Sequence, residues 1–218
     1  MIKVERSFPA PKSLAIEKNK PGGVYNGEDV VTQLKKDFSD KCYICEMKPV
    51  FDINIEHLNP HRNNIDLKFD WNNLFYSCVH CNSMKKGNKY AYKILDCCDE
   101  DPEKYLFHIF ENGHVIVKPI DKSANDEIIR LTGELITDCF ENKNTPIRTI
   151  QCENRANELC ITMLALYKNL EKYAENPDGI AIRALKGMLK RTYKFAGFTR
   201  TYVRMHLEDY PELEKYIV

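Results

Sequence analysis

The sequence predicts an α+β protein in which a small cysteine-rich segment of two strands and a short helix precedes a mainly α-helical C-terminal half. Three observations carry that reading. Two Cys-x-x-Cys knuckles, Cys42-Tyr-Ile-Cys45 and Cys78-Val-His-Cys81, bracket a stretch rich in asparagine and histidine. The dipeptide Asn112-Gly113 separates two apolar runs, the signature of a hairpin turn. Beyond residue 123, apolar residues recur at helical spacing. The 218 residues divide on this basis into an N-terminal arm and short helix (1–40), a cysteine-pinned core (41–95), and a β-hairpin plus helical region (96–218).

Taken in order, residues 1–24 carry Pro9, Pro11, Pro21 and Gly22-Gly23, which predicts an extended arm. Gly27-Glu28-Asp29 opens a helix bearing Val30, Val31, Leu34 and Phe38, with acids in its first turn. Val50–His57 alternates Phe51, Ile53 and Ile55 with Asp52, Asn54 and Glu56, the period of a half-buried strand. Residues 70–77 form a second apolar segment running into the second knuckle, and Asn82–Gly87 reads as a short helix. Asp96–Glu103 is acidic, contains Pro102 and reads as a linker. Strands follow near Lys104–Phe110 and His114–Pro119. Ile128, Leu131, Leu135 and Ile136 then fit a helix capped by Ser123. A longer helix starts at Pro146, in which Cys152, Ala156, Leu159, Met163, Leu166, Leu170 and Tyr173 form a heptad seam. The seam suits packing within the chain or against another protein. Asn176-Pro177-Asp178-Gly179 ends that helix, and two more follow, separated near Gly197.

Lysine plus arginine and aspartate plus glutamate both total 32, which argues against a generic polycationic nucleic-acid binder. The 43% apolar and 29% charged residues exclude a disordered chain. No apolar run approaches the roughly 20 residues of a membrane span, so no membrane association is expected. The N-terminus lacks the apolar stretch of a secretion signal, and the reading is cytoplasmic. In that setting nine cysteines, an odd number, are read as thiols and metal ligands. Cys42, Cys45, Cys78 and Cys81 can close a tetrahedral Zn²⁺ shell with no open position, a structural role. Cys139, Cys152 and Cys160 lie in helical patterns; Cys97-Cys98 has no assigned role.

A strand, loop, strand and helix pinned by zinc would bring Glu56, His57 and Asn82 together. A neutral imidazole suits proton removal from water, and the Glu56 and Asn82 oxygens suit Mg²⁺ or Mn²⁺. That chemistry is phosphodiester hydrolysis. His61 and Arg62 are placed near the phosphates, and His80 is read as exposed. Lys85, Lys86, Lys89 and Lys93 follow Asn82 and suit either a solvated helix face or phosphate-backbone contact. Gly179–Leu207 carries seven basic residues and no acid; nucleic acid, an acidic partner or helix pairing each accounts for it.

The set Cys42-x-x-Cys45, Glu56-His57, Trp71-Asn-Asn73-Leu74 and Cys78-x-x-Cys81-Asn82 resembles the HNH, or ββα-metal, endonucleases, whose core is treble-clef-like. The resemblance implies His57 as general base, Asn73 as the residue that holds the loop and positions the imidazole, and Glu56 and Asn82 as ligands of one catalytic Mg²⁺ or Mn²⁺. Glu56 stands where the family usually has aspartate, and Asn82 where it often has histidine. The overall layout is similar to the HNH subunit of Septu anti-phage systems and to retron-associated HNH effectors. It implies nucleic acid as substrate, DNA before RNA, and an ABC/SMC-like ATPase partner. A stand-alone restriction or homing nuclease and a non-catalytic zinc adaptor are the alternatives.

Overall fold

The N-terminal residues do not hang free. In the computed structural model, which describes residues 1–121, 125–177 and 179–217, Met1, Ile2 and Val4 are buried. The Val4 amide donates to the Cys97 carbonyl at 2.9 Å, and the Met1 α-amine donates to Glu46 at 2.8 Å. The punctuated stretch is therefore irregular in backbone but packed, because its apolar residues find a groove on the core. Within it a helix, α1 (Lys12–Lys18), buries Leu14. Helix α2 (Glu28–Asp37) follows Gly27 with Glu28 and Asp29 in its first turn, and buries Val30 and Leu34.

The central unit is a two-stranded antiparallel ladder, β1 (Ile53–His57) with β2 (Leu74–Cys78), followed at once by α4 (Val79–Lys85). Between the strands lie a short helix, α3 (Ile65–Phe69), and a 3₁₀ turn at Trp71–Asn73. Asn64 caps α3 through its side-chain oxygen, which satisfies amides that the helix start leaves without partners. The register places Ile53 opposite Cys78 and His57 opposite Leu74. The cysteine cluster and the Glu56-His57 pair thus sit at opposite ends of one ladder.

The expected alternation in Val50–His57 is broken. Phe51 is 90% exposed and Ile53 faces solvent, whereas Glu56 is buried with Ile55. Phe51 precedes the strand and has nothing above it. Glu56 is drawn inward because Tyr43 and Lys85 meet its carboxylate.

The second hairpin pairs β3 (Leu106–Glu111) with β4 (His114–Pro119) across Asn112 and Gly113, both at positive φ, as a two-residue hairpin turn needs. Helix α5 (Glu127–Glu141) packs on β4. Its cap is Asp126, which accepts from the Ile128 and Ile129 amides; the expected cap, Ser123, lies outside the described residues. Helix α6 (Pro146–Glu175) starts on the Thr145 cap. Of its seam residues, Cys152, Leu159, Met163, Leu166, Leu170 and Tyr173 are buried within the chain, and Ala156 is half-buried. Helix α7 (Ala181–Met188) packs on α6, and α8 (Ala196–Met205) on β3. No helix among the described residues is long and apolar enough to cross a membrane.

The acidic stretch before the hairpin is also packed. Glu103 is 6% exposed and takes Arg200 and Arg204 at 2.8 Å each, with Arg191 at 3.4 Å. The acid-free Gly179–Leu207 stretch therefore has its counter-charges supplied from the hairpin side and from Glu158, which pairs with Lys194. Arg183, Lys186 and Lys190 remain exposed.

Candidate metal centre and adjoining cleft

Cys42, Cys45, Cys78 and Cys81 are buried, and their sulfurs all lie within 4.8 Å of one another. A tetrahedral zinc with Zn–S near 2.3 Å would set its sulfurs roughly 3.8 Å apart. The donor set fits a structural metal such as zinc. Burial pushes the Cys42 and Cys81 thiols up, while thiol hydrogen bonds and the Arg155 guanidinium hold Cys78 far down. Four sulfurs in so dry a place can all ionise only around a divalent cation.

The backbone makes the first knuckle tight. The Cys42 amide donates to the Met47 carbonyl, the Glu46 amide to the Cys42 carbonyl, and Glu46 takes φ 60°. The Tyr43 amide donates to Tyr76 on β2, which ties the two knuckles together. The helical half closes the other side. Arg155 on α6 donates to Cys78 Sγ at 3.2 Å. His80, expected to be exposed, is fully buried and bridges the Gln151 side chain at 2.8 Å and the Cys139 carbonyl at 3.0 Å. Gly197 on α8 comes so close that a Cβ there would sit 2.6 Å from the Glu46 carboxylate, and its amide donates to that carboxylate.

At the far end of the ladder, a cleft of about 550 Å³ is lined by Glu56, His57, His61, Arg62, Asn82 and Lys86, among others. Asn82 and Lys85, three residues apart on α4, share the helix face toward β1. His57 is half-buried, with Nε2 3.0 Å from the Lys68 carbonyl. A carbonyl only accepts, so Nε2 carries the proton and Nδ1 is bare. Burial lowers the His57 pKa, which favours the neutral ring. The Tyr25 ring meets it edge-on at 4.5 Å, and His61 lies 4.7 Å away.

Asn73 is buried and does not reach the cleft. Its side chain accepts from the Asn59 amide at 2.7 Å and donates to the Asn59 and Leu67 carbonyls. It staples the chain leaving His57 to the chain returning into β2.

Glu56 is fully partnered: Lys85 Nζ lies 2.5 Å from Oε1, and the Tyr43 hydroxyl donates to Oε2 at 2.7 Å. Burial raises its pKa, with Lys85 and Tyr43 opposing. Lys85 also donates to the His57 and Leu58 carbonyls, so all three ammonium protons are engaged. Lys85 is buried rather than offered to a phosphate, a correction to the sequence expectation. Lys89 turns away too, pairing with Glu134 and Asp138 on α5. Arg62 and Lys86 are the exposed cations lining the cleft, and Arg62 lies over the Tyr92 ring. The oxygens of Glu56 and Asn82 suit Mg²⁺ or Mn²⁺ in type, with the Lys85 ammonium already seated on the carboxylate.

Sequence reasoning missed Tyr25, Tyr43, Lys68 and Arg155. Only Tyr43 carried a signal, by its place inside a knuckle; the others meet the site through tertiary packing. No protein-family model matches this chain, and no curated protein matches it.

Proposed function

We propose that the chain is a divalent-metal-dependent endonuclease of the HNH kind, hydrolysing nucleic-acid phosphodiesters, DNA in preference to RNA. The observation that carries the reading is the shared cleft of Glu56, His57 and Asn82, with Asn73 stapling the loop behind the imidazole. His57 takes a proton from the attacking water at Nδ1, while the Lys68 carbonyl holds the ring through Nε2. Arg62 and Lys86 receive the flanking phosphates. A Mg²⁺ or Mn²⁺ held by Asn82 and, once Lys85 releases its carboxylate, by Glu56 would stabilise charge on the leaving oxygen. The zinc-type cluster keeps no open position and serves the fold. Partnership with an ATPase in a defence complex rests on the resemblance in layout; copurification with such an ATPase tests it.

The test of the activity is hydrolysis of plasmid DNA and of RNA by the purified full chain with Mg²⁺, Mn²⁺ or chelator. Metal-dependent nicking that His57→Ala abolishes supports the assignment. Equal nicking by that variant overturns it, and no hydrolysis by the unaltered chain, with or without its copurified partner, favours the zinc adaptor.

A further inference from the structure

Cys97 and Cys98 are used by neither the metal cluster nor the cleft. Cys97 is fully buried, while Cys98 is half-buried and opens on a cavity of about 150 Å³ that Arg6, Asn72, Asp96 and Asp99 also line. Arg6 Nη2 lies 3.4 Å from Cys98 Sγ. The same guanidinium donates through Nη1 to the carbonyls of Trp71 at 2.8 Å and Leu74 at 3.0 Å, and lies over the Trp71 and Phe75 rings. It therefore links the Cys98 sulfur to the backbone on either side of Asn73.

We propose that Cys98 is a peroxide-reactive thiol whose oxidised form is resolved by Cys97, closing a reversible vicinal disulfide beside Arg6. The Cys98 thiolate attacks one oxygen of a hydroperoxide; the O–O bond breaks, leaving Cys98 sulfenic acid and a molecule of water or alcohol. The Cys97 sulfur then attacks Cys98 sulfur, the S–S bond forms, the S–O bond breaks, and hydroxide leaves with the Cys97 proton as water. Two thiols are oxidised and one peroxide is reduced.

Each part of the pair suits its role. A hydrogen bond from Cys97 and the charge of Arg6 hold the Cys98 thiol below its ordinary range, against burial and Asp96. Cys97 is sealed from solvent, so Cys98 is the thiol that a peroxide reaches. Adjacent Cα atoms stand about 3.8 Å apart, short of the ordinary disulfide range, so the bond is strained and easily reduced. That is the character of a switch rather than a staple.

The test exposes the full zinc-loaded chain to hydrogen peroxide and maps every cysteine by peptide mass. The expected result is loss of two hydrogens from the Cys97-Cys98 peptide before Cys160 or the knuckle cysteines react, with zinc retained and dithiothreitol restoring the thiols. Cys160 is a fair internal control, being equally half-buried. Cys97→Ser should trap the Cys98 sulfenic acid for dimedone. Arg6→Met, which removes the guanidinium from beside Cys98 Sγ, should slow that oxidation several-fold. Trp71 is the sole tryptophan, and its emission should shift as the disulfide forms. Prior oxidation of Cys160 or the knuckles overturns the proposal, as does accumulation of Cys98 sulfinate without a disulfide. A disulfide that leaves Trp71 emission unchanged overturns the link through Arg6.

Discussion

The two ends of the β1–β2 ladder are built on opposite principles. At Ile53–Cys78, four sulfurs converge in a dry pocket walled by Arg155 and His80. At His57–Leu74, an imidazole and an amide face an open cleft, while the one carboxylate beside them is held by a lysine and a tyrosine. The closed end spends its ligands on one another and on the fold. The open end has its polar side chains oriented by backbone carbonyls and amides, which leaves Nδ1 of His57 and the Asn82 side chain for something from outside. Order in the first is concentrated in one four-sulfur cluster; order in the second is distributed over separate hydrogen bonds.

The severest way to break the contrast is at the cysteines. Cys45→Ser, or stripping of the metal by chelator, should abolish cooperative melting and solubility, since zinc binding in small sites is worth about 10–16 kcal/mol. Elemental analysis of the intact chain should find one zinc. His57→Ala should cost roughly 10²- to 10⁴-fold in hydrolysis while zinc content and melting temperature hold, separating chemistry from fold.

Lys85→Met should cost about 3–5 kcal/mol by leaving the Glu56 carboxylate buried with no counter-charge and only the Tyr43 hydroxyl as partner. Adding Glu56→Leu should recover most of that in denaturant titration, and failure to recover would place the lysine's worth in the His57 and Leu58 carbonyls instead. Arg155→Met should cost about 1.5–3 kcal/mol, the scale of a hydrogen bond to a charged group, and should hasten zinc transfer to a chromophoric chelator. The smallest effect belongs to Lys86→Ala. It should weaken nucleic-acid binding modestly and lower the salt slope by about one unit.

Much of this contrast was legible in the residue order. The knuckle spacing announced the sulfur cluster, Asn112-Gly113 the second hairpin, and the heptad seam the buried face of α6. What stayed hidden came from charges meeting across the fold. Lys85 read as one of a basic run because its partner, Glu56, lies a whole strand and helix away in sequence. Gly179–Leu207 read as acid-free because Glu103, which neutralises Arg200 and Arg204, is supplied from before the hairpin. Local composition cannot register a counter-ion contributed from elsewhere. Phe51 failed for the complementary reason: alternation predicts a buried face only where another element covers it.

The Gly197 amide on the Glu46 carboxylate, the Gln151 contact of His80 and the Arg155 contact of Cys78 all reach the knuckles from the last third of the chain. The cysteine-pinned segment is consequently not a detachable module. Cutting the chain at residue 95 would remove the Arg155 donor to Cys78 and strip His80 and Glu46 of their Gln151 and Gly197 partners. The chain should unfold as one cooperative block, and damage on α6 or α8 should be felt at the sulfurs long before it is felt by any docking surface.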